Sequence, residues 1–442
     1  MTIQMLQQWN GLEAGSIQTL AGSEETRLVG LGLARTYTAT TDDHSPLAMT
    51  WDPDTGAQAA GQYSVSGGGG NPVLAAALST YFNAVANRDS APVKIPVFGD
   101  SWTEYRTATA FTNQWTQKVQ ALLRAKYPTS GLGATGGIGY VPIINATSAG
   151  QPPYVNPWTK AGAVGTSFTN GGLGLRYATF ANGSDKATIT VTATSCVLHF
   201  LKGTSSRVGY YKVDGGAAVT FETNVNGVLS DDGFLTINLG ASGSHTLEVG
   251  WSSGGVVYLA GAIFFNGDEN KGFHFYEGGH TGYRTTDYIG AAAGASALQT
   301  RVAAINPHLV IIALGQNDFQ QASPNFISAA TYKANLKQLI SELRAKGVTA
   351  SFLIVMSADV TVSKDGTQTS TWAQFQAAAK QVAIEDTGNT GGTSGVGVVS
   401  ITDAGVIAPS TGGAGGDWVD ALHVGDTGHA AVASVVYGAI SR

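Results

Sequence analysis

The runs "HLVIIALG" (308–315), "TASFLIVMS" (349–357) and "VGVVSIT" (396–402) constrain this chain more than any other feature. Each is a short apolar stretch without polar alternation, so a strand made from it needs cover on both faces. Between them lie amphipathic stretches of helical length, 326–347 and 371–386, and another, 428–440, closes the sequence. Strands alternating with helices give a parallel sheet clad by helices on both sides. The same texture occurs once earlier, in a helical stretch 72–87, a strand 93–98 and a helix 111–127. In that last helix Trp115, Val119, Leu122 and Leu123 are read as the apolar face, with Lys and Arg on the other side. The prediction is a three-layer α/β/α domain around a parallel sheet, in two pieces, residues 72–130 and 270–442.

What separates the pieces has a different pattern. Residues 175–265 hold short runs such as "KATITVTA", "CVLHFL", "FLTINLG" and "HTLEVGW", parted by Gly, Ser, Asn and Asp. That spacing predicts an antiparallel, jelly-roll-like β-sandwich inserted over 131–269, with its ends close together. Residues 1–58 form a small unit of their own, with a short helix expected around Leu20–Val29. A Gly-rich linker, 59–71, includes four consecutive glycines. "DPDTG" (52–56) offers a calcium-loop start, but the twelfth position is Tyr63 rather than Glu.

Composition narrows the functional classes. A net charge of -6 without a Lys/Arg cluster speaks against a nucleic-acid partner. The single cysteine, Cys196, rules out an internal disulfide. No apolar stretch has the length to span a bilayer, and the first residues show no secretory signal.

Three polar strings sit where a parallel sheet places its chemistry, at the C-terminal ends of strands. Gly99-Asp100-Ser101 ends the strand "KIPVF", and "GQND" (315–318) ends "VIIAL". "DWVDALHVGDTGH" (417–429) precedes the last helix, with Asp420 and His423 three apart. A serine hydroxyl needs an adjacent base, and an imidazole base needs its tautomer fixed by a third group.

In this order the three strings, with the glycine-containing "FHFYEGGHTGYRTTD" (273–287), resemble the SGNH (GDSL-type) esterase family over roughly 90–130 and 270–442. The resemblance implies Ser101 as nucleophile, His423 as general base and Asp420 as the group orienting it. It implies an oxyanion hole made by the N–H of Ser101, a glycine N–H and the Asn317 side chain. Gly282 is preferred for that glycine, with Gly279 the competitor, because "GGHTG" lets the alignment slide. Glu277 stands where relatives often carry asparagine. Asp417 fits the spacing to His423 less well than Asp420, and His429 reads as a helix-start or packing residue. Trp102 and Trp418 flank the site, either lining a substrate pocket or simply packing.

"GWSSG" (250–254) matches Gly-x-Ser-x-Gly, but β-like runs flank it on both sides, so Ser252 is read as a hairpin turn. His274 and His280 lack a metal-ligand spacing. The expectation is a hydrolase without metal or other cofactor. The resemblance, with a sandwich insert, implies removal of short acyl groups, O-acetyl above all, from a carbohydrate such as an envelope polysaccharide. A lipase or thioesterase, or a glycan-binding virion adhesin with a vestigial catalytic domain, are the alternatives. Residues 11–36 resemble the start of bacteriophage head-fibre or tail proteins. That implies virion partners and an extracellular, particle-borne location, with a cytoplasmic one if the chain is not of phage origin.

Overall fold

The computed structural model describes residues 72–441 except 105–106, 146–154, 168–170, 204, 225–231, 291, 293, 321–324, 364–367 and 387–394, together with three short strands before them. The chain divides into two compact units, Met1–Ser66 and Gly67–Arg442. In the first, β1 (Thr2–Met5) pairs antiparallel with β2 (Ile17–Thr19) and β3 (Ala34–Thr36). The helix expected around 20–29 and the linker 59–71 lie outside the described residues.

The second unit begins with α1 (Pro72–Ala77), α2 (Ser79–Ala86), β4 (Val93–Gly99), α3 (Trp115–Lys126) and β5 (Gly139–Pro142). There follow β6 (Thr159–Ala161), β7 (Gly165–Ser167), β8 (Tyr177–Phe180), β9 (Lys186–Leu201), β10 (Arg207–Val213), β11 (Val219–Glu222), β12 (Asp232–Gly254) and β13 (Val257–Phe265). The α/β alternation then resumes with β14 (Phe273–Gly279), α4 (Ala295–Ile305), β15 (Leu309–Ala313) and α5 (Gln316–Gln320). It ends with α6 (Ala329–Ala345), β16 (Ser351–Met356), α7 (Trp372–Ile384), β17 (Val396–Ser400), α8 (Ile401–Ala404) and α9 (Asp426–Ile440).

The parallel strands lie in the order β14-β4-β15-β16-β17, the 2-1-3-4-5 arrangement of flavodoxin-like sheets. Every residue of β16 and β17 is buried, because both faces are covered. On one face Val355 meets Trp115 of α3 and Val432 of α9 around a small cavity. On the other, the next residue, Met356, accepts from the Tyr332 hydroxyl of α6. Caps fix the helix starts: Ser328 accepts from Thr331 N–H before α6, and Thr371 and Gln374 form a capping box on α7.

Within α3 the expected faces need correcting. Leu122 is 39% exposed, whereas Arg124 is buried. Arg124 earns that place by donating to the carbonyls of Gly137 (2.7 Å) and Phe273 (2.9 Å) and pairing with Asp268 (2.8 Å). Asp268 also accepts the Gly137 N–H at 3.0 Å, so the two ends of the inserted region are close.

The inserted strands are antiparallel and have a hydrophobic core of their own, yet they are not a detached module. Strand β5 pairs antiparallel with β13 and parallel with β14, joining them to the hydrolase sheet. Pleat alternation divides the work. Tyr140 and its partner Ile263 enter the hydrolase core, while the adjacent Val141 and Ala262 enter the insert core. Runs read as separate short strands are halves of two long ones, β9 with 16 residues and β12 with 23. A register break between Asn238 and Gly243 separates the halves of their ladder.

Candidate active site

Strand β4 carries the chain to its turn. At its end the N–H groups of Thr103 and Glu104 both donate to the Asp100 carbonyl, at 3.1 and 3.0 Å. A Cβ on Gly99 would lie 2.0 Å from Thr103 Oγ1, so this turn requires glycine. Ser101 is thereby held at the C-terminal end of β4, whose neighbours are β14 and β15, where the strand order reverses.

Ser101 Oγ lies 2.9 Å from His423 Nε2, and His423 Nδ1 lies 2.8 Å from both carboxylate oxygens of Asp420. Burial alone would raise the Asp420 carboxyl. The hydrogen bond and charge of His423, with the N–H groups of Leu422 and His423, instead hold it down to about 2. An ionised carboxylate only accepts, so Nδ1 carries the imidazole proton and Nε2 presents its lone pair to Ser101. The Asp-x-x-His spacing is what lets one carboxylate cap its own loop and orient the ring.

The histidine loop is fastened to the nucleophile turn. Trp102 Nε1 and Gln316 Nε2 both donate to the Leu422 carbonyl, at 2.8 and 2.9 Å, and Thr107 Oγ1 donates to Val424 O. Trp102 and Trp418 are 6% and 5% exposed and pack edge to face, 5.8 Å between centroids. In this structure the pair buttresses the loop.

Helix α5 is tied to the segment after β14. Asn317 Nδ2 donates to the Tyr283 carbonyl at 3.0 Å, linking the asparagine to the residue after Gly282. The Gly279 N–H donates to the carboxylate of Glu277, two residues earlier. Asp318 is fully buried and accepts the N–H (3.0 Å) and hydroxyl (2.5 Å) of Thr285, pinning this segment to α5.

Asp100 is also buried, and its carboxyl is pushed up to about 7. Burial is the main cause; the Trp102 N–H opposes it and the nearby Asp318 charge adds to it. A raised folded-state value means stability fully present below about pH 4 and lost as pH rises through 7. Asp100→Asn is therefore expected to gain on the wild type by up to roughly 4 kcal/mol between those limits. Urea unfolding of both proteins at acidic and at mildly alkaline pH measures the gap; a gap independent of pH contradicts the assignment.

Other singled-out residues lie elsewhere. His429 is fully buried within α9. His274 Nε2 contacts the Asp268 carbonyl at 2.7 Å. Ser252 is not in a hairpin turn: it sits within β12, opposite a register shift in the ladder with β10. Ser252→Ala is expected to leave ester turnover within about twofold of wild type, and a larger loss in an esterase assay contradicts this. Sequence reasoning missed Glu104 and Arg176, a buried ion pair beside the nucleophile turn.

A serine hydroxyl, an imidazole and an ionised carboxylate, linked in that order at the carboxyl edge of a 2-1-3-4-5 sheet, are the parts used in serine acyl transfer. Residues 266–431 match the model of the GDSL-like Lipase/Acylhydrolase family. That stretch includes Gly282, Asn317, Asp420 and His423, whereas Ser101 lies upstream, across the inserted strands. Among solved structures, the chain is similar to a peptidoglycan O-acetylesterase at 16% identity and a TM-score of 0.55, covering 83% of this chain and 95% of that one. The likeness is one of fold. A family two carbohydrate esterase from Clostridium thermocellum, bound to cellohexaose, matches at 14% identity over 62% of this chain and 97% of that one. Its TM-score is 0.28. No curated protein matches the chain.

Proposed function

We propose that this acylhydrolase removes short acyl groups, chiefly O-acetyl, from a carbohydrate through an acyl-enzyme on Ser101. The observation that carries the reading is the Ser101–His423–Asp420 relay, with all its links at 2.8–2.9 Å. Ser101 Oγ attacks the acyl carbon and its proton passes to His423 Nε2. The imidazolium is held by Asp420, and its proton goes to the sugar oxygen as the ester bond breaks. Water then attacks the acyl-serine and gives a proton to His423. That proton returns to Ser101 Oγ as the carboxylic acid leaves.

The transition-state oxyanion takes its hydrogen bonds from the N–H groups of Ser101 and Gly282 and from Asn317. An amide nitrogen carries two protons, so Asn317 can hold Tyr283 with one and meet the oxyanion with the other. Asn317→Ala is expected to lower kcat roughly 10²–10³-fold with little change in KM, because this bond strengthens only as charge develops. Steady-state kinetics on p-nitrophenyl acetate decide it. A change confined to KM makes Asn317 a substrate-binding residue instead.

The carbohydrate part of the reading is supported by the antiparallel insert and by the fold shared with a peptidoglycan O-acetylesterase over 83% of this chain. Its test is acetate release from O-acetylated polysaccharides, set against p-nitrophenyl acetate and octanoate. Turnover favouring octanoate, with no acetate released from any polymer, overturns it.

A further inference from the structure

We infer that Arg176, supplied by the inserted region, is a positioning residue for the segment 277–283 that carries the oxyanion glycine. The inference rests on the ester-hydrolase reading above for its kinetic part only. Arg176 is fully buried just before β8, and its guanidinium bridges two carboxylates, Nη1 to Glu104 and Nη2 to Glu277. Glu104 lies three residues beyond Ser101, and Glu277 lies in the last turn-ward part of β14.

Each carboxylate uses its second oxygen on the same segment. Glu277 Oε1 accepts the Gly279 N–H, and Glu104 Oε2 accepts the Thr281 N–H. One cation therefore sets two acceptors that grip the backbone on either side of His280. The imidazole between them is also held by the insert, its Nδ1 contacting the Gly174 carbonyl. Its ring stacks on Tyr283, 3.4 Å between centroids, and Tyr283 is the residue whose carbonyl Asn317 holds. Gly174 has φ +72°, and a Cβ there would lie 2.4 Å from the Gly279 carbonyl, so glycine is needed for this close approach. Behind it, Arg301 Nη1 donates to Gly172 O at 2.8 Å and fastens the insert segment to α4.

The physical logic is geometric. Two carboxylates that are 0% and 2% exposed stay charged in place only with a cation between them. The planar fork of arginine serves both at once, which a lysine ammonium does not. The insert thus completes the hydrolase site as well as decorating it.

The test uses the full chain with Arg176→Lys, and with a charge-free variant, Glu104→Gln/Glu277→Gln/Arg176→Met, in case the single change fails to fold. Two readouts are taken: kcat and KM on p-nitrophenyl acetate, and amide hydrogen exchange of residues 277–284 compared with β15 and β16. The expected result is a kcat lower by about 10–100-fold at nearly unchanged KM, as for a misplaced transition-state donor. Exchange should quicken in 277–284 while the central strands stay protected. Wild-type kcat and wild-type exchange in a folded variant overturn the inference, as does a loss of protection spread evenly over the sheet. If the wild type hydrolyses no ester, the functional reading fails, and the exchange result alone decides the positioning role.

Discussion

Ser101→Ala is expected to fold like the wild type and to lose roughly 10⁴-fold or more of kcat on p-nitrophenyl acetate. The change removes one oxygen, the atom that faces His423 Nε2 at 2.9 Å, and no apolar contact area. The turn itself does not depend on that oxygen. It is closed by the Thr103 and Glu104 N–H bonds to Asp100 and by the space Gly99 leaves for Thr103. What survives in the variant is binding and oxyanion stabilisation without a nucleophile, which accounts for a residual rate above that of water. Near-normal turnover by purified, folded Ser101→Ala would remove Ser101 from the chemistry.

Asp420→Asn should cost about 10⁴-fold in kcat, for a subtler reason. Asp420 Oδ1 already accepts the N–H groups of Leu422 and His423, both at 2.7 Å. In the asparagine variant the amide oxygen keeps those two bonds, and the NH₂ group is left facing His423 Nδ1. That nitrogen must then accept, so the ring proton moves to Nε2 and points at Ser101. The geometry survives and the base is lost. Pre-steady-state measurement of p-nitrophenol release should show acylation slowed by this factor, with the thermal midpoint nearly unchanged. A loss below about tenfold would mean that another group fixes the tautomer.

Sequence is legible where a local pattern has one physical solution. Apolar runs ending in Gly-Asp-Ser and Gly-Gln-Asn-Asp gave two neighbouring parallel strands and put both polar strings at one edge of the sheet. The i to i+3 spacing of Asp420 and His423 already contained the carboxylate-capped loop. What stayed hidden depends on partners distant in the chain. Arg124 reads as a solvent-facing cation on α3 until Asp268 and two carbonyls are found opposite it. Arg176 lies among β-like residues with no visible tie to Glu104 or Glu277. The helix α4 has Leu298, Val302 and Ile305 at helical spacing, but they are set among alanines and glycines that mute the signal. Continuity of the sheet through β5 was hidden because a four-residue strand, "GYVP", carries too little pattern to announce its two partners.

The central claim is that an acyl group passes through Ser101. Its most direct test is to quench the enzyme with acid during turnover of p-nitrophenyl acetate and map the peptides by mass spectrometry. The expected result is one acetyl group, on the peptide containing Ser101, which is absent in Ser101→Ala and accumulates far more slowly in Asp420→Asn. Acetyl on another residue such as Ser252, or no acetyl on Ser101 in enzyme quenched while it is turning over, would contradict it.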